Sequence, residues 1–88
     1  MAIYFFFNEV EKLVKIGYTE QRLKDRLSQL RTAAPNCRPL GKPIPGGRET
    51  EKQLHQRFDK YRVSREWFRY TGELKQYIAQ VLNQSRDA

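Results

Sequence analysis

The stretch Val14-Lys15-Ile16-Gly17-Tyr18-Thr19 decides how the rest of the chain is arranged. Val14 and Ile16 alternate with Lys15, which is the period of a half-buried strand. Gly17 allows a backbone conformation, or a close approach by another group, that a side chain would block. We therefore predict a short strand that stops at Gly17 and leads into a basic helix. Such an arrangement can hold a phosphate, or it can be a plain strand-to-helix turn.

The composition limits the chain to one small basic domain. With 88 residues, it is long enough for a single core and too short for two domains. The formal net charge of +7 predicts attraction to polyanions, with nucleic acid first and acidic membranes or acidic proteins second. A generically basic, solvated surface is the alternative interpretation.

Cysteine usage and hydropathy indicate where the protein is expected to work. The single Cys37 excludes an intrachain disulfide, and no Cys/His spacing suggests a zinc site. The apolar run from Ile3 to Phe7 is too short for a signal peptide or a membrane span. We expect a cytoplasmic protein that does not act at a membrane and that is a monomer or a weak homodimer.

Two strands are expected to open the chain as an antiparallel hairpin. Residues 3–7 are aromatic and β-prone, residues 8–12 are polar and favour a turn, and residues 13–16 form the second strand. Tyr4 and Phe6 point to one side of the first strand, and its other apolar residues point to the opposite side. Both sides of this strand are therefore expected to be covered.

Three helices are predicted from apolar stripes, with the ranges 22–32, 48–61 and 72–84. In the first helix, Leu23, Leu27 and Leu30 form the stripe. Arg26 lies on the edge of this stripe, from where it can reach across the sheet. The second helix could instead begin at Thr50, which starts a capping-box pattern.

The segments between the helices are predicted to be extended. Residues 33–47 contain all four prolines, which excludes a helix there. Leu40 and Ile44 are expected to anchor one short edge strand, since an edge tolerates proline. Residues 66–70 form a short aromatic segment that is expected to be extended.

Five motifs occur in order along the chain: a tyrosine on the first strand, K-I-G-Y-T at residues 15–19, R-L-x-x-L at 26–30, E-x-x-L-H at 51–55 and E-W-F at 66–68. This ordered set resembles the GIY-YIG nuclease superfamily, and in particular its small, stand-alone phage-type branch. The resemblance implies an α+β fold, with a small three-stranded antiparallel sheet flanked by about three helices, in a single nuclease domain over residues 1–88.

The resemblance also implies a metal-dependent endonuclease that hydrolyses phosphodiester bonds. DNA is the expected substrate, and RNA is left open. Tyr4 would deprotonate or orient the attacking water, and Arg26 would contact the phosphate oxygens. Glu51 would bind Mg²⁺ or Mn²⁺, with Glu49 as the nearby alternative, and His55 would carry a proton or orient a partner. Lys15 completes the catalytic set, at a position where the family usually has a tyrosine.

A second group of residues is predicted to bind phosphate and the nucleic-acid backbone. Its members surround the end of the second strand and the basic side of the first helix: Gly17, Tyr18, Arg22, Lys24 and Arg31.

Each candidate residue also has an ordinary structural explanation. Tyr4 could be one more core aromatic, and Arg26 could be a solvated charge or the partner of Glu51. Glu51 could simply favour the N-terminus of a helix through its dipole. His55 could pair with Glu51 on the helix surface. Lys15 in place of tyrosine also leaves open a nucleic-acid-binding module that has lost cleavage, and a protein-interaction domain is a third possibility.

Overall fold

Six antiparallel strands form one sheet, and three helices pack on its two faces. The computed structural model describes residues 1–86; residues 87–88, and the side chains of Leu23 and residues 84–86, lie outside the description. The predicted α+β class is confirmed. The elements are β1 (Ala2–Asn8), β2 (Leu13–Thr19), α1 (Leu23–Ala33), β3 (Cys37–Pro39), β4 (Ile44–Pro45), α2 (Arg48–Arg57), β5 (Arg62–Ser64), β6 (Trp67–Arg69) and α3 (Gly72–Arg86).

The predicted hairpin of β1 and β2 lies at the centre of the sheet. The strand order is β3-β1-β2-β6-β5, and β4 also pairs with β1. Ala2 lies opposite Thr19 at one end of the hairpin, and Asn8 lies opposite Leu13 at the other. The Asn8 side-chain oxygen accepts hydrogen bonds from the next backbone N–H groups, including that of Val10 at 3.0 Å. This Asx turn is the reason why the polar residues after β1 reverse the chain.

The strands differ from the prediction in two respects. The prediction that the second strand stops at Gly17 is wrong, because Gly17 and Thr19 pair with residues of β1 and extend the strand. The sheet also has more strands than the three expected. The proline-rich segment supplies both β3 and β4, and β5 pairs with β6. These added strands have two or three residues each, too few to show a period.

The helices follow the predicted stripes. Leu30 is buried and Leu27 is half-buried on α1, whereas the predicted position of Leu23 in the stripe lies outside the described residues. A start of α2 at Thr50 is wrong: the helix begins at Arg48, and within the described residues its N-terminus has no side-chain capping bond. The same helix ends at Arg57, and a separate 3-10 turn follows it.

The two faces of the sheet carry two separate cores. The α2–α3 face is covered by α2 and α3, and the α1 face is covered by α1, so the prediction that β1 is covered on both sides is confirmed. Burial, followed by the charge of Glu11, raises the pKa of the Cys37 thiol, which therefore acts as a neutral core group. The α2–α3 core contains Ile3, Phe5, Val14, Ile16, Leu54, Phe58, Phe68, Leu74 and Ile78; the α1 core contains Tyr4, Phe6, Leu30 and Cys37.

Candidate functional site

Gly17 is required by the ring of Tyr4. The two residues lie opposite each other in β2 and β1. A Cβ atom built at Gly17 would lie 2.5 Å from both Cζ and Oη of Tyr4, which is closer than any real contact. The positive-φ glycines of the described residues do not include Gly17, so the close approach and not an unusual backbone explains this residue.

Arg26 meets Tyr4 on the α1 face. Its Nε donates to the phenol oxygen of Tyr4 at 3.4 Å, and its Nη1 donates to Oε1 of Gln29 at 3.3 Å. Tyr4 is only 2 % exposed, whereas Arg26 is half-buried. The expectation that Arg26 reaches across the sheet from the edge of the stripe is confirmed, and its guanidinium lies between a buried phenol and the solvent.

An open groove lies where β2 ends and α1 begins. The bend at this point is stabilised by Thr19, whose Oγ1 accepts a hydrogen bond from the backbone N–H of Gln21 at 3.1 Å. The groove is therefore built on a buried threonine and is continuous with the Tyr4–Arg26 pair. Its lining residues are Tyr18, Thr19, Glu20, Gln21 and Arg26.

Arg48, on α2, contacts Tyr18, one of the residues that line this groove. Its Nε and Nη2 donate to the phenol oxygen of Tyr18 at 3.2 and 3.1 Å, and its guanidinium lies 5.7 Å from the Tyr18 ring centroid. The hydrogen bonds to Tyr18, followed by the charges of the Glu20 and Glu51 carboxylates, raise the pKa of Arg48. The sequence analysis missed Arg48, because its partner is 30 residues away and no local pattern connects them.

Glu51 lies on α2 beside Arg48. It is half-buried in the first turn of the helix, and its backbone N–H donates to the carbonyl of Gly47 at 3.0 Å. Within residues 1–86, no group of three or more His, Cys, Asp or Glu residues could hold a metal ion. A cation at Glu51 would therefore take its other ligands from water and phosphate, a mode that is typical of Mg²⁺.

Lys15 contacts the side chain of Glu66, and His55 contacts the backbone of β2. The Nζ of Lys15 lies 3.2 Å from Oε2 of Glu66, and the lysine side chain is 14 % exposed on the α1 face. His55 Nε2 lies 2.8 Å from the carbonyl oxygen of Ile16, so this nitrogen carries the proton and donates it. Instead of pairing with Glu51, His55 attaches α2 to β2 one residue before Gly17, and its ring lies 5.1 Å from that of Phe68.

The basic residues predicted on α1 are exposed. Arg22 precedes the helix, and Lys24 and Arg31 lie along it. The last two also line a second shallow depression, together with Leu27, Ser28 and Thr32. The structure thus leaves these three cations accessible to a polyanion. Of the other two predicted residues, Tyr18 lines the groove, whereas Gly17 is buried against Tyr4 and does not line it.

Comparison with known proteins gives a family for the chain. A family model described as the T5orf172 domain matches residues 1–85. No curated protein and no solved structure matches. The prediction of the GIY-YIG superfamily is wrong, because the matching family is a different one and the short motifs lack support. Ala2 and Lys15 already depart from the defining motifs of that superfamily.

The matching family bears on function at a general level. The T5orf172 domain is associated with nuclease-like and DNA-binding functions in phage and bacterial proteins. Nothing in this association specifies a reaction or a metal ion. In the part of the chain that the structure describes, none of the helices is both long and apolar enough to span a membrane.

Proposed function

The chain belongs to the T5orf172 domain family, and from this premise we propose that it is a metal-dependent endonuclease acting on nucleic acid, with DNA as the expected substrate. The Tyr4–Arg26 pair at the groove is the observation that carries this proposal. The net charge of +7 supports it, since a basic surface attracts the phosphate backbone.

Arg26 is the proposed phosphate ligand. A guanidinium can form two parallel hydrogen bonds with phosphate oxygens, which fixes the orientation of the scissile group. Its charge would also stabilise the negative charge that develops on the non-bridging oxygens during hydrolysis. Because Nε already donates to Tyr4, the guanidinium is held at the groove before any nucleic acid binds.

Tyr4 is proposed to orient the reacting groups. The sequence left open whether it deprotonates or orients the attacking water. Its 2 % exposure and its contact with Arg26 favour the orienting role, because a buried phenol has little access to water. His55 would have a positioning role on the α2–α3 face. Its hydrogen bond to the carbonyl of Ile16 holds α2, and with it Glu51, against β2.

Glu51 is the proposed ligand for Mg²⁺ or Mn²⁺. A bound cation would supply Lewis-acid stabilisation of the phosphate and of the leaving oxygen. The half-buried carboxylate lies on α2 next to Arg48, which itself contacts the groove through Tyr18. Glu51 would thus hold the cation at the α2 side of the groove, opposite to the side from which Arg26 approaches.

The test is cleavage of plasmid, single-stranded and branched DNA in Mg²⁺, Mn²⁺ or EDTA. We expect metal-dependent nicking by the wild type and a loss of at least about 100-fold in Glu51→Gln, since a Lewis-acid cation supplies several kcal/mol. Glu49→Gln is the matched variant, because Glu49 is exposed in the same helical turn. Cleavage by Glu51→Gln at the wild-type rate would remove the proposal.

Binding without cleavage is the second candidate. Tyr4 is buried, and within residues 1–86 no group of three or more His, Cys, Asp or Glu residues could hold a metal ion. Both observations favour it, because hydrolysis usually requires an accessible base or more metal ligands. This candidate predicts salt-sensitive binding of the wild type to DNA together with no nicking in either metal. The cleavage assay above, combined with a binding assay in EDTA, separates the two functions.

A further inference from the structure

The function proposed above assigns Arg48 no contact with the nucleic acid, although Arg48 donates two hydrogen bonds to Tyr18. We propose that Arg48 is a second phosphate-binding residue, which Tyr18 holds at the groove on the side opposite to Arg26. This inference rests on the proposed nucleic-acid function and adds to it the path of the backbone: one strand crosses the end of β2 between two arginines.

The two arginines approach the groove from opposite faces of the sheet. Arg26 belongs to α1, which covers the α1 face, and Arg48 belongs to α2, which covers the other face. Each guanidinium donates to the phenol of a tyrosine in the central hairpin, Tyr4 for Arg26 and Tyr18 for Arg48. The groove therefore has a tyrosine-bound cation on each side.

The contacts of Arg48 hold its guanidinium in place and leave some of its N–H donors available for a ligand. The bonds from Nε and Nη2 to Tyr18 engage two of the five N–H donors of an arginine, so others remain for phosphate oxygens. Tyr18 is half-buried against the α2–α3 core, and the Arg48 guanidinium lies 5.7 Å from the centroid of its ring. A side chain that is already held in place loses less conformational entropy when it binds a ligand.

Arg48 also offsets two negative charges. Glu20 lines the groove, and the carboxylates of Glu20 and Glu51 both act on the Arg48 guanidinium. Without this cation, both carboxylates would repel an approaching phosphate. Loss of Arg48 should therefore weaken binding by more than the loss of an arginine elsewhere on the same helix.

Arg57 is the matched control. It lies in the last turn of α2, at the end of the helix away from Arg48, and it is equally an exposed arginine. Its guanidinium stacks on the rings of Tyr77 and Phe58, at 4.9 and 5.0 Å, so it repeats the arginine–tyrosine chemistry away from the groove. Arg48→Gln and Arg57→Gln remove the same charge from the same helix.

The experiment measures binding of the full chain to labelled single-stranded and duplex DNA in EDTA, at salt concentrations from about 50 to 200 mM. We expect Arg48→Gln to weaken binding about tenfold and to reduce the salt slope by about one. Arg57→Gln should change the affinity by less than about threefold. Tyr18→Phe should weaken binding by a few fold with an unchanged salt slope, because it removes no charge.

Each outcome is decisive for one proposal. If the wild type binds DNA and Arg48→Gln behaves like Arg57→Gln, the role of Arg48 is overturned while the proposed function stands. If the wild type does not bind nucleic acid at all, the proposed function itself fails. Should Arg48→Gln not fold, Arg48→Lys replaces it, because this variant keeps the charge. Weaker DNA binding by Arg48→Lys with an unchanged salt slope supports the proposed role of Arg48. Binding with wild-type affinity overturns that role.

Discussion

The two faces of the central hairpin have different chemistry, although they alternate along the same two strands. On the α2–α3 face the buried core residues are all hydrocarbon, and the tyrosines that pack against them, Tyr18 among them, are only partly buried. On the α1 face, the core includes the phenol of Tyr4, and the partly buried Lys15 and Arg26 lie beside it. We therefore expect the α2–α3 face to contribute most of the stability, whereas the α1 face places polar groups next to the groove.

The difference follows from how each face is covered. Two helices contribute large apolar side chains to the α2–α3 face. Among the described side chains, α1 contributes only Leu27 and Leu30 to the other face. A smaller apolar cover leaves polar atoms such as the Tyr4 hydroxyl within reach of a half-buried guanidinium, which satisfies its hydrogen bond. Single substitutions on each face can test this difference between the α2–α3 face and the α1 face.

Phe68→Ala should have the largest effect on folding. Phe68 is 0 % exposed in the α2–α3 core, so its truncation should lower the free energy of unfolding by about 3–5 kcal/mol. Urea denaturation measures this change. Val63→Ala, at a residue that is 54 % exposed, is the control and should stay within about 0.5 kcal/mol. A loss below about 1 kcal/mol for Phe68→Ala would contradict the assignment of stability to this face.

Gly17→Ala should have an intermediate effect on the free energy of unfolding, and it should also weaken DNA binding. The new Cβ would overlap the Tyr4 ring, and the displacement of this ring should cost about 1–3 kcal/mol. It should also break the contact with Arg26 and weaken DNA binding. In a Tyr4→Leu background the cost in unfolding free energy should become smaller, and a double-mutant cycle measures this coupling. Strict additivity would argue against the contact.

Tyr4→Phe should have the smallest effect on stability. It removes the 3.4 Å hydrogen bond from Arg26 but keeps the ring, so the free energy of unfolding should change by less than about 1 kcal/mol. DNA cleavage or binding should nevertheless fall, because Arg26 loses its support. Tyr70→Phe is the control, since the Tyr70 ring packs on Phe7. Unchanged function in Tyr4→Phe would mean that Arg26 does not need the Tyr4 hydroxyl for its proposed role.

The fold was largely predictable where the sequence has a clear period. The aromatic, β-prone run at residues 3–7 and the alternation at residues 14–16 predicted the hairpin. The 3.6-residue stripe placed α1 within about one residue of its observed ends and put Arg26 on its edge. The short strands were harder to predict. All three residues of β5 are exposed, so no alternation marks it, and β4 has two residues that pair only because β1 offers an edge.

The candidate site was less predictable than the fold. Tyr4 and Arg26 were both proposed from the sequence, and the structure shows their contact across 22 residues of chain. Arg48 was missed, because a first-turn arginine after two glycines has no distinctive pattern. The family was also assigned wrongly, since short motifs with substitutions at Ala2 and Lys15 are not specific.

The sequence by itself determined that β1 must be covered on both sides, that the proline-rich segment cannot be helical and that the chain carries a net charge of +7. These properties depend on local chemistry: side-chain hydropathy, the fixed φ of proline and net charge.

Only the tertiary structure decided that Gly17 makes room for Tyr4 and that Arg48 reaches Tyr18. Both contacts depend on strand register and on the packing of α2 against the sheet, which no local pattern encodes.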